Sequence, residues 1–348
     1  SDGEFVGWDS FRKSCVSFKI QIEGSEAAFD CAANENLLDA AMRQGIEMPY
    51  SCRKGVCGNC KGRVVQGELV LGTQGGSHEA GIHQHDEHLF CKAQPASDLS
   101  IAPKTWHRID PTARKTVQAK VFKKIQLAPD VTQLQLRFPA GVRVKFKAGQ
   151  YLQLLLPDGQ RRSYSMANAP HESDAVQLHI RNLPQGYFSD AMLKNIQVGD
   201  FLKLELPHGD FWLREDSERP MLMVAGGTGF APIKSILDHI VRQKLQRTVH
   251  LYWGARTQDG IYAADVLARW AQQSPGWVIH PLLSNATDVS AWTGRVGFVH
   301  EAVRADFKDL SDWDVYACGG MPMVTALRDV CSKLGLSDAN FYSDAFVG

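Results

Sequence analysis

The clearest chemical signal in this 348-residue chain is a set of four cysteines with the spacing C-x4-C-x2-C-x30-C. They are Cys52, Cys57, Cys60 and Cys91. The first three belong to the short segment YSCRKGVCGNC, where Gly55 and Gly58 let the backbone fold closely and point amide N–H groups at sulfur. Three thiolates on one tight loop and a fourth from a distant segment can surround a pair of irons, and this is the plant-type [2Fe–2S] spacing. The sequence therefore predicts a [2Fe–2S] cluster at these four residues.

Other uses of these thiols fit the spacing less well. Structural zinc is usually held by paired C-x2-C knuckles, and only one such pair is present. A Rieske centre needs two histidines in place of two cysteines, and the sequence has no Cys-x-His pair. Eight cysteines in a chain of this length are too sparse for a disulfide scaffold.

A second group of residues has the chemistry to bind a flavin. The segment RRSYSMAN places Arg162, Tyr164 and Ser165 on an alternating strand, and GYFS follows it. An arginine can pair with phosphate, a tyrosine can cover an aromatic ring, and a hydroxyl can hydrogen-bond a ring nitrogen. Taken alone, the segment also fits an ordinary strand with inward and outward side chains.

A third signal is the glycine-rich segment MLMVAGGTGFAPIKSIL, an apolar strand that leads into a helix. Backbone amides and a helix N-terminus at this point can receive a pyrophosphate. The strict G-x-G-x-x-G/A fingerprint fails because Pro232 occupies its last position. The acidic residue that reads an NAD ribose is also missing, and HLYWGARTQDG offers Arg256 in its place.

Three patterns of apolar and polar residues along the chain predict the secondary-structure elements that position the cysteines, the flavin residues and the glycine loop. Residues 15–102 begin with the alternating CVSFKIQI and the helical NLLDAAMRQG, after which the cysteines fall on a loop. Residues 115–215 hold short alternating segments between Gly and Pro turns, which favours a small β-barrel. Residues 219–348 alternate apolar strands with helices, as a parallel α/β sheet requires.

Composition limits the class of protein and of partner. Hydrophobic residues make up 44% and charged residues 22%, which argues against disorder. The formal net charge is zero, which argues against nonspecific binding to nucleic acid or to an anionic membrane. The first 103 residues carry −5 and the remainder +5, so the two parts could orient toward each other or toward a partner, although scattered solvated charges explain this equally well. With no long apolar run and no signal-peptide pattern at the N-terminus, we expect a cytoplasmic protein.

Four motifs in a fixed order give the chain a family resemblance. They are R-S-Y-S at Arg162–Ser165, G-x-x-S at Gly186–Ser189, G-G-T-G at Gly226–Gly229 and C-G-G at Cys318–Gly320. Residues 115–348 resemble the ferredoxin–NADP reductase superfamily, and residues 15–102 resemble a plant-type ferredoxin. The module order is similar to that of reductases of multicomponent aromatic-ring oxygenases, especially terephthalate or benzoate dioxygenase systems. The resemblance implies a multidomain α+β and α/β chain: a β-grasp ferredoxin domain (15–102), a six-stranded antiparallel FAD-binding β-barrel (115–215) and a parallel α/β NAD(P)-binding domain (219–348).

The resemblance also implies roles for residues around FAD. Arg162 contacts the flavin phosphate, Tyr164 lies against the isoalloxazine, and Ser165 reaches its N5 atom. The pyrophosphate is assigned to Gly186 and Ser189, with Arg181 nearby. Near the C-terminus, YSDAFVG places Asp344 and Phe346 where the family has an acidic and an aromatic residue beside the flavin. Asp344 is shorter than the more usual Glu.

The nicotinamide site is implied in the same way. Its pocket is assigned to Gly226, Gly227, Thr228, Gly229 and Pro232. Cys318 and Gly319 are expected to approach the nicotinamide, although Cys318 also fits a buried thiol at the end of a strand. The segment LLSNA, with Ser284 followed by Asn285, favours NADH, whereas Arg256 and Arg295 could hold the extra phosphate of NADPH.

The expected function is an NADH-dependent reductase. NADH delivers a hydride to FAD, and the [2Fe–2S] cluster passes electrons singly to the Rieske-type oxygenase of an aromatic-ring dioxygenase. Ser165, Cys318 and Asp344 are the expected catalytic residues. The same chemistry could serve a di-iron monooxygenase or a sugar-deoxygenation enzyme. A different class of protein, with zinc at the cysteines and a nucleotide-sensing remainder, would be colourless.

Overall fold

A computed structural model describes residues 16–71, 80–81, 87–110, 113–285 and 292–346. The predicted domain limits at residues 15 and 348 lie outside this range. The chain divides into two compact units, Ser1–Met48 with Cys60–His107, and Pro49–Asn59 with Arg108–Gly348. The cysteine-bearing segment is thus shared, because residues 49–59 belong to the second unit.

The first unit is built on a mixed five-stranded sheet of order β2-β1-β9-β4-β7. Its strands are β1 (Ser17–Ile22), β2 (Ala28–Ala32), β4 (Lys61–Gln66), β7 (Glu87–Leu89) and β9 (Leu99–Pro103). β1 runs antiparallel to β2 and parallel to β9. The other strands are β3 (Ile46–Glu47), β5 (Leu69–Leu71), β6 (Ala80–Gly81), β8 (Ala93–Pro95) and β10 (His107–Arg108), of which β6, β5 and β8 form a small sheet.

The predicted helix of this unit is α1, Leu37–Arg43. Asn36 caps it, since its side-chain oxygen accepts a 2.9 Å hydrogen bond from the Asp39 amide. Gly45, with φ of 76°, allows the left-handed turn that ends the helix. Leu37, Leu38 and Ala41 are fully buried, so the apolar spacing read from the sequence packs into the core.

The second unit begins with a six-stranded antiparallel sheet of order β14-β13-β16-β11-β12-β15. The strands are β11 (Lys115–Ala128), β12 (Val131–Arg137), β13 (Tyr151–Leu155), β14 (Arg161–Ser165), β15 (Ala175–Arg181) and β16 (Phe201–His208). A bridge between Met166 and Leu178 links the chain just after β14 to β15, the strand at the opposite edge. Alternate side chains such as Leu134, Leu136 and Leu204 fill one core, as period-2 strands require. A π-helix at Tyr187–Met192 and a short α2, Leu193–Asn195, follow β15.

The rest of the second unit is a six-stranded parallel sheet of order β20-β19-β18-β17-β21-β22, as predicted. Its strands are β17 (Met221–Gly226), β18 (Val249–Ala255), β19 (Val278–Leu283), β20 (Arg295–Val296), β21 (Asp314–Gly320) and β22 (Phe341–Phe346). Its helices are α3 (Phe230–Gln243), α4 (Ala264–Gln273), α5 (Val299–Asp306) and α6 (Met321–Lys333). Met223 joins one core and Val224 the other, so both faces of β17 are covered.

Helix α3 also contacts the antiparallel sheet region. The buried hydroxyl of Ser235 donates to the carbonyl of Asn168 at 2.7 Å and accepts from the amide of Gly149 at 3.3 Å. These bonds hold the glycine loop that precedes α3 beside the antiparallel strands. Among the described residues, no helix is long and apolar enough to cross a membrane.

Candidate functional site

The segment 49–59 of the second unit is the tight loop that the cysteine spacing predicts. It contains no helix or strand. Three of its residues have left-handed backbone: Arg53 (φ 53°), Gly55 (φ 81°) and Gly58 (φ 76°). This conformation turns amides inward, and the Lys54 N–H donates to Cys52 Sγ at 3.3 Å.

Cys52 and Cys57 come together on this loop, each half-buried. A hydrogen bond between the two thiols lowers the pKa of Cys52 to about 4 and raises that of Cys57, and backbone amides also lower the pKa of Cys52. A thiolate that accepts backbone N–H bonds is the donor that iron–sulfur centres use. In the described part of the chain, no group of three or more His, Cys, Asp or Glu is arranged as a metal site. The argument that this loop suits an iron–sulfur cluster therefore depends on its two cysteine sulfurs and on the backbone amides that donate to them.

Cys60 and Cys91 belong to the first unit, where both are buried. The amide of Phe90 donates to the carbonyl of Cys60 at 3.0 Å, and the carbonyl of Phe90 accepts from Leu38 at 3.1 Å. Cys91 lies in the turn that follows β7. The core of the unit thus orders the backbone on either side of both thiols.

Two residues at the start of the loop bind it to the rest of the second unit. The buried Tyr50 hydroxyl accepts from the Gly209 amide at 2.8 Å. Ser51, which precedes Cys52, donates to Asp344 Oδ1 at 2.9 Å and accepts from the Ala345 amide at 3.1 Å. Neither residue is predicted from the sequence, although Ser51 is adjacent to a predicted ligand.

Strand β14 carries the predicted flavin residues. Arg162 is half-buried, and its guanidinium donates to the Gln160 side chain at 2.6 Å. The half-buried ring of Tyr164 lies 5.6 Å from that of Phe188, centroid to centroid. The buried hydroxyl of Ser165 donates to Asp344 Oδ2 at 3.4 Å.

Asp344 on β22 is therefore shared between two hydroxyls. Burial raises the pKa of its carboxyl group, while the hydrogen bonds from Ser51 and Ser165 lower it and the charge of Cys52 raises it further. The Asp344 side chain is half-buried. A carboxylate with two donors can orient both of them. Phe346, at the end of the same strand, is 38% exposed.

Gly186 and Ser189 lie where the π-helix begins. A Cβ on Gly186 would overlap the Ser189 hydroxyl, so a larger residue cannot replace this glycine without a local shift. Ser189 Oγ accepts from the Leu183 amide at 3.4 Å. Arg181, at the end of β15, forms a 3.2 Å ion pair with Asp130.

The glycine loop packs tightly against the neighbouring backbone. A Cβ at Gly229 would overlap the carbonyl of Cys318, and one at Gly227 would lie 3.0 Å from the Arg181 guanidinium. Gly227 also has φ of 53°, which favours glycine. Thr228 lies in the single 3₁₀ turn Gly227–Gly229, and Pro232 is buried in the first turn of α3. Gly227 and Gly229 are therefore buried positions at which a side chain would meet a neighbour.

A cavity of about 380 Å³ opens beside this loop. Four predicted residues line it: Arg181, Gly226, Gly227 and Arg256. Phe298, His300 and Met323 also line it and were not predicted. Phe298 stacks on His300 with centroids 5.7 Å apart and is 56% exposed, so it offers a flat apolar surface.

The predicted nicotinamide residues are more deeply placed. Cys318 is fully buried, and this burial raises the pKa of its thiol well above the ordinary value. Gly319 meets Gly226, where an added Cβ would lie 3.1 Å from the Gly226 Cα. Among the described residues of the C-G-G motif, Gly320 lines the cavity, whereas Cys318 and Gly319 are buried and are not among its lining residues.

The two arginines suggested for NADPH differ in their surroundings. Arg295 forms an ion pair with Asp306, which also accepts from the Tyr252 hydroxyl at 2.6 Å. Arg256 is exposed at the cavity. Arg295 is thus engaged by a carboxylate, whereas Arg256 lines the cavity with an exposed side chain.

Comparison with known proteins agrees with this arrangement. The sequence matches a 2Fe-2S iron-sulfur cluster binding domain over residues 20–96, an oxidoreductase FAD-binding domain over 118–212 and an oxidoreductase NAD-binding domain over 223–329. It is 42% identical to the reductase component 1 of terephthalate 1,2-dioxygenase from Comamonas sp., over 95% of this chain and 98% of that protein. The chain belongs to the iron–sulfur flavoprotein reductases of the ferredoxin–NADP reductase superfamily.

Two further relatives show how varied the partners of such reductases are. A CDP-6-deoxy-L-threo-D-glycero-4-hexulose-3-dehydrase reductase from Yersinia pestis is 36% identical over 95% of this chain and 99% of that protein. The crystal structure of the Amycolatopsis cytochrome P450 reductase GcoB is similar with a TM-score of 0.75 and 29% identity, covering 95% of this chain and 99% of that chain. This 348-residue chain is itself an NAD(P)H-dependent oxidoreductase, and its cofactors are a [2Fe–2S] cluster, FAD and NADH.

Proposed function

We propose that this reductase passes electrons from NADH, through FAD and the [2Fe–2S] cluster, to the Rieske-type oxygenase component of an aromatic-ring dioxygenase. The observation that carries the proposal is the position of Asp344. Its carboxylate accepts from Ser51 on the cysteine loop and from Ser165 on the predicted flavin strand. One side chain thus joins the segments assigned to the two redox groups.

We assign the cluster to its predicted ligands, Cys52, Cys57, Cys60 and Cys91. When bound, FAD accepts a hydride from NADH and the cluster carries electrons singly. Amides of the loop support the sulfur atoms: the Lys54 N–H already points at Cys52. The loop lowers the cost of thiolate charge because these N–H groups replace water as donors.

The flavin site is assigned to residues of β14 and its neighbours. Arg162 pairs with phosphate, Tyr164 covers the ring, and Ser165 donates to the ring nitrogen N5. Phosphate oxygens are assigned to Gly186, Ser189 and Arg181. Because Ser165 has one hydroxyl proton, donation to N5 replaces the bond that it donates to Asp344.

The nicotinamide site is assigned to the 380 Å³ cavity and its rim. The loop of Gly226, Gly227, Thr228, Gly229 and Pro232 receives the pyrophosphate, because Gly226 and Gly227 line the cavity and α3 begins at Phe230. Phe298 provides a face for an aromatic ring, and Arg256 lies at the open side. Cys318 and Gly319 support the floor beneath the nicotinamide, and Phe346 covers the flavin.

Finer features of the fold belong to the same proposal. We assign a β-grasp fold to the first sheet and helix, and a closed barrel to the antiparallel sheet through the bridge of Met166 to Leu178. The domains are 15–102, 115–215 and 219–348, in a protein of the cytoplasm.

The test pairs the purified protein with candidate partners. Visible bands of flavin and iron–sulfur that bleach with NADH are expected, as is NADH consumption dependent on both an aromatic substrate and its oxygenase. A colourless protein would contradict the redox proposal. The 36% identical dehydrase reductase favours a second candidate, electron transfer to a sugar-deoxygenation enzyme. Turnover with a sugar dehydrase but with no aromatic oxygenase would select that candidate.

A further inference from the structure

Asn59, between the predicted ligands Cys57 and Cys60, is bound through its whole side-chain amide to the C-terminal part of the chain. Its Nδ2 donates to the Ser343 carbonyl at 2.5 Å. Its Oδ1 accepts from the Ser343 hydroxyl at 2.9 Å and from Arg328 Nη2 at 2.9 Å. With these three hydrogen bonds, Asn59 fixes the end of the loop against α6 and β22.

Arg328, on α6, is held at this end of the loop by its hydrogen bond to Asn59. Its side chain is 24% exposed, and its guanidinium lies 4.3 Å from the centroid of the Phe341 ring. One edge faces Asn59, and the other forms an ion pair with Asp338, whose side chain is 50% exposed. Cys57 packs against the core to which α6 contributes. Burial lowers the pKa of Arg328.

We propose that Arg328 is a positioning residue that raises the reduction potential of the [2Fe–2S] cluster while it holds the loop through Asn59. This inference rests on the proposed function. Reduction adds one electron to the cluster, and that electron comes from the flavin after NADH has delivered its hydride. The added negative charge is stabilised by a cation that is largely withdrawn from water. Asp338 opposes this less strongly, because water screens the half-exposed carboxylate.

The test is a potentiometric titration of the purified protein, with the reduced cluster followed by its paramagnetic resonance signal. Arg328→Met removes the charge and keeps an unbranched side chain. We expect it to make cluster reduction about tenfold less favourable, which is about 59 mV for one electron. Arg328→Lys keeps the charge and should restore the parental potential. Asp338→Asn removes the opposing charge and should raise the potential.

A purely structural role predicts a different pattern. In that case the iron content falls in Arg328→Met and Arg328→Lys alike, and Asp338→Asn leaves the potential unchanged. Either an unchanged potential in a fully loaded Arg328→Met protein or no rise in Asp338→Asn overturns the inference. Should Arg328→Met lose its iron, the potential of Asp338→Asn alone decides. Failure of the proposed function is distinguishable, because these potentials are measured without a partner protein: turnover with a sugar dehydrase but with no aromatic oxygenase would overturn the proposed function and leave the potential shifts unchanged.

Discussion

Ser51 and Asp344, 293 residues apart in sequence, are joined by a 2.9 Å hydrogen bond from the serine hydroxyl to the aspartate Oδ1. The other carboxylate oxygen accepts from Ser165 at 3.4 Å. The residue that precedes Cys52 and the residue assigned to flavin N5 thus share one partner. The shorter Asp, in place of the more usual Glu, reaches both hydroxyls in this chain.

Replacement of Ser165 by alanine is expected to slow flavin reduction by NADH without release of FAD. A hydrogen bond is worth about 1 kcal/mol, which corresponds to roughly a fivefold to tenfold slower rate. Ser163, exposed on the same strand, provides the control Ser163→Ala. Stopped-flow absorbance measures both, and an unchanged rate of hydride transfer in Ser165→Ala would contradict the N5 role.

Cys57→Ser should separate the two electron-transfer steps. We expect NADH-dependent ferricyanide reduction to stay largely intact, because it requires the flavin alone, and reduction of cytochrome c to be abolished. Cys331→Ala removes a buried thiol outside the motif and should retain both activities. Equal loss of the two activities in Cys57→Ser would show that the cluster is needed for folding or that the electron order is wrong.

The glycine loop offers a paired test of close packing. A Cβ at Gly229 would overlap the Cys318 carbonyl, whereas nothing lies within 4 Å of a Cβ at Gly276. Gly229→Ala should lose about 2 kcal/mol of unfolding free energy and bind NADH more weakly, because backbone must move. Gly276→Ala should change stability by less than about 0.5 kcal/mol. Denaturant titration and NADH binding check both, and equal behaviour of the two variants would refute the close contact.

His179 predicts a specific dependence of stability on pH. Burial, with repulsion from Lys234, lowers its pKa from 6.5 to about 3. Between these values the unfolded chain binds a proton that the folded chain does not. The free energy of unfolding should therefore fall as the pH drops from 6.5 toward 3, by up to about 1.4 kcal/mol per pH unit.

His179→Gln should flatten this slope, because the titrating group is removed. His171→Gln changes an exposed side chain and should keep the parental slope. Denaturant midpoints measured across this pH range provide the check. A parental slope in His179→Gln would show that other groups govern acid unfolding.

Cofactor preference can be tested on the two arginines. Arg256→Gln should lower kcat/KM for NADPH at least about tenfold and leave NADH within about twofold, because a charged hydrogen bond is worth 1.5–3 kcal/mol. Arg295→Gln should leave the preference unchanged, since Asp306 already binds that guanidinium. Steady-state rates with both nucleotides decide, and a selective loss of NADPH use in Arg295→Gln would reverse the assignment.

Local patterns in the sequence were sufficient for much of the fold. Periodicity and glycines predict three elements at the positions where the structure has them. These are the helix at Leu37–Arg43, the loop of Cys52 and Cys57, and the segment from β17 through the glycine loop into α3. Each depends on neighbouring residues, whose spacing is visible in the chain itself. The cofactor class follows from motifs of the same local kind.

Contacts between distant segments could not be read in this way. Three such contacts depend on how strands and helices come together. They are the hydrogen bonds of Asn59 to Ser343, the exposed ring of Phe298 in the cavity, and the ion pair of Arg295 with Asp306. Asparagine, arginine and single exposed aromatic side chains occur on many protein surfaces, so their sequence context carries no sign of a partner. By itself the sequence determined the redox groups and the elements that carry them; the tertiary structure decided which side chains join those elements, because only packing sets the distances between them.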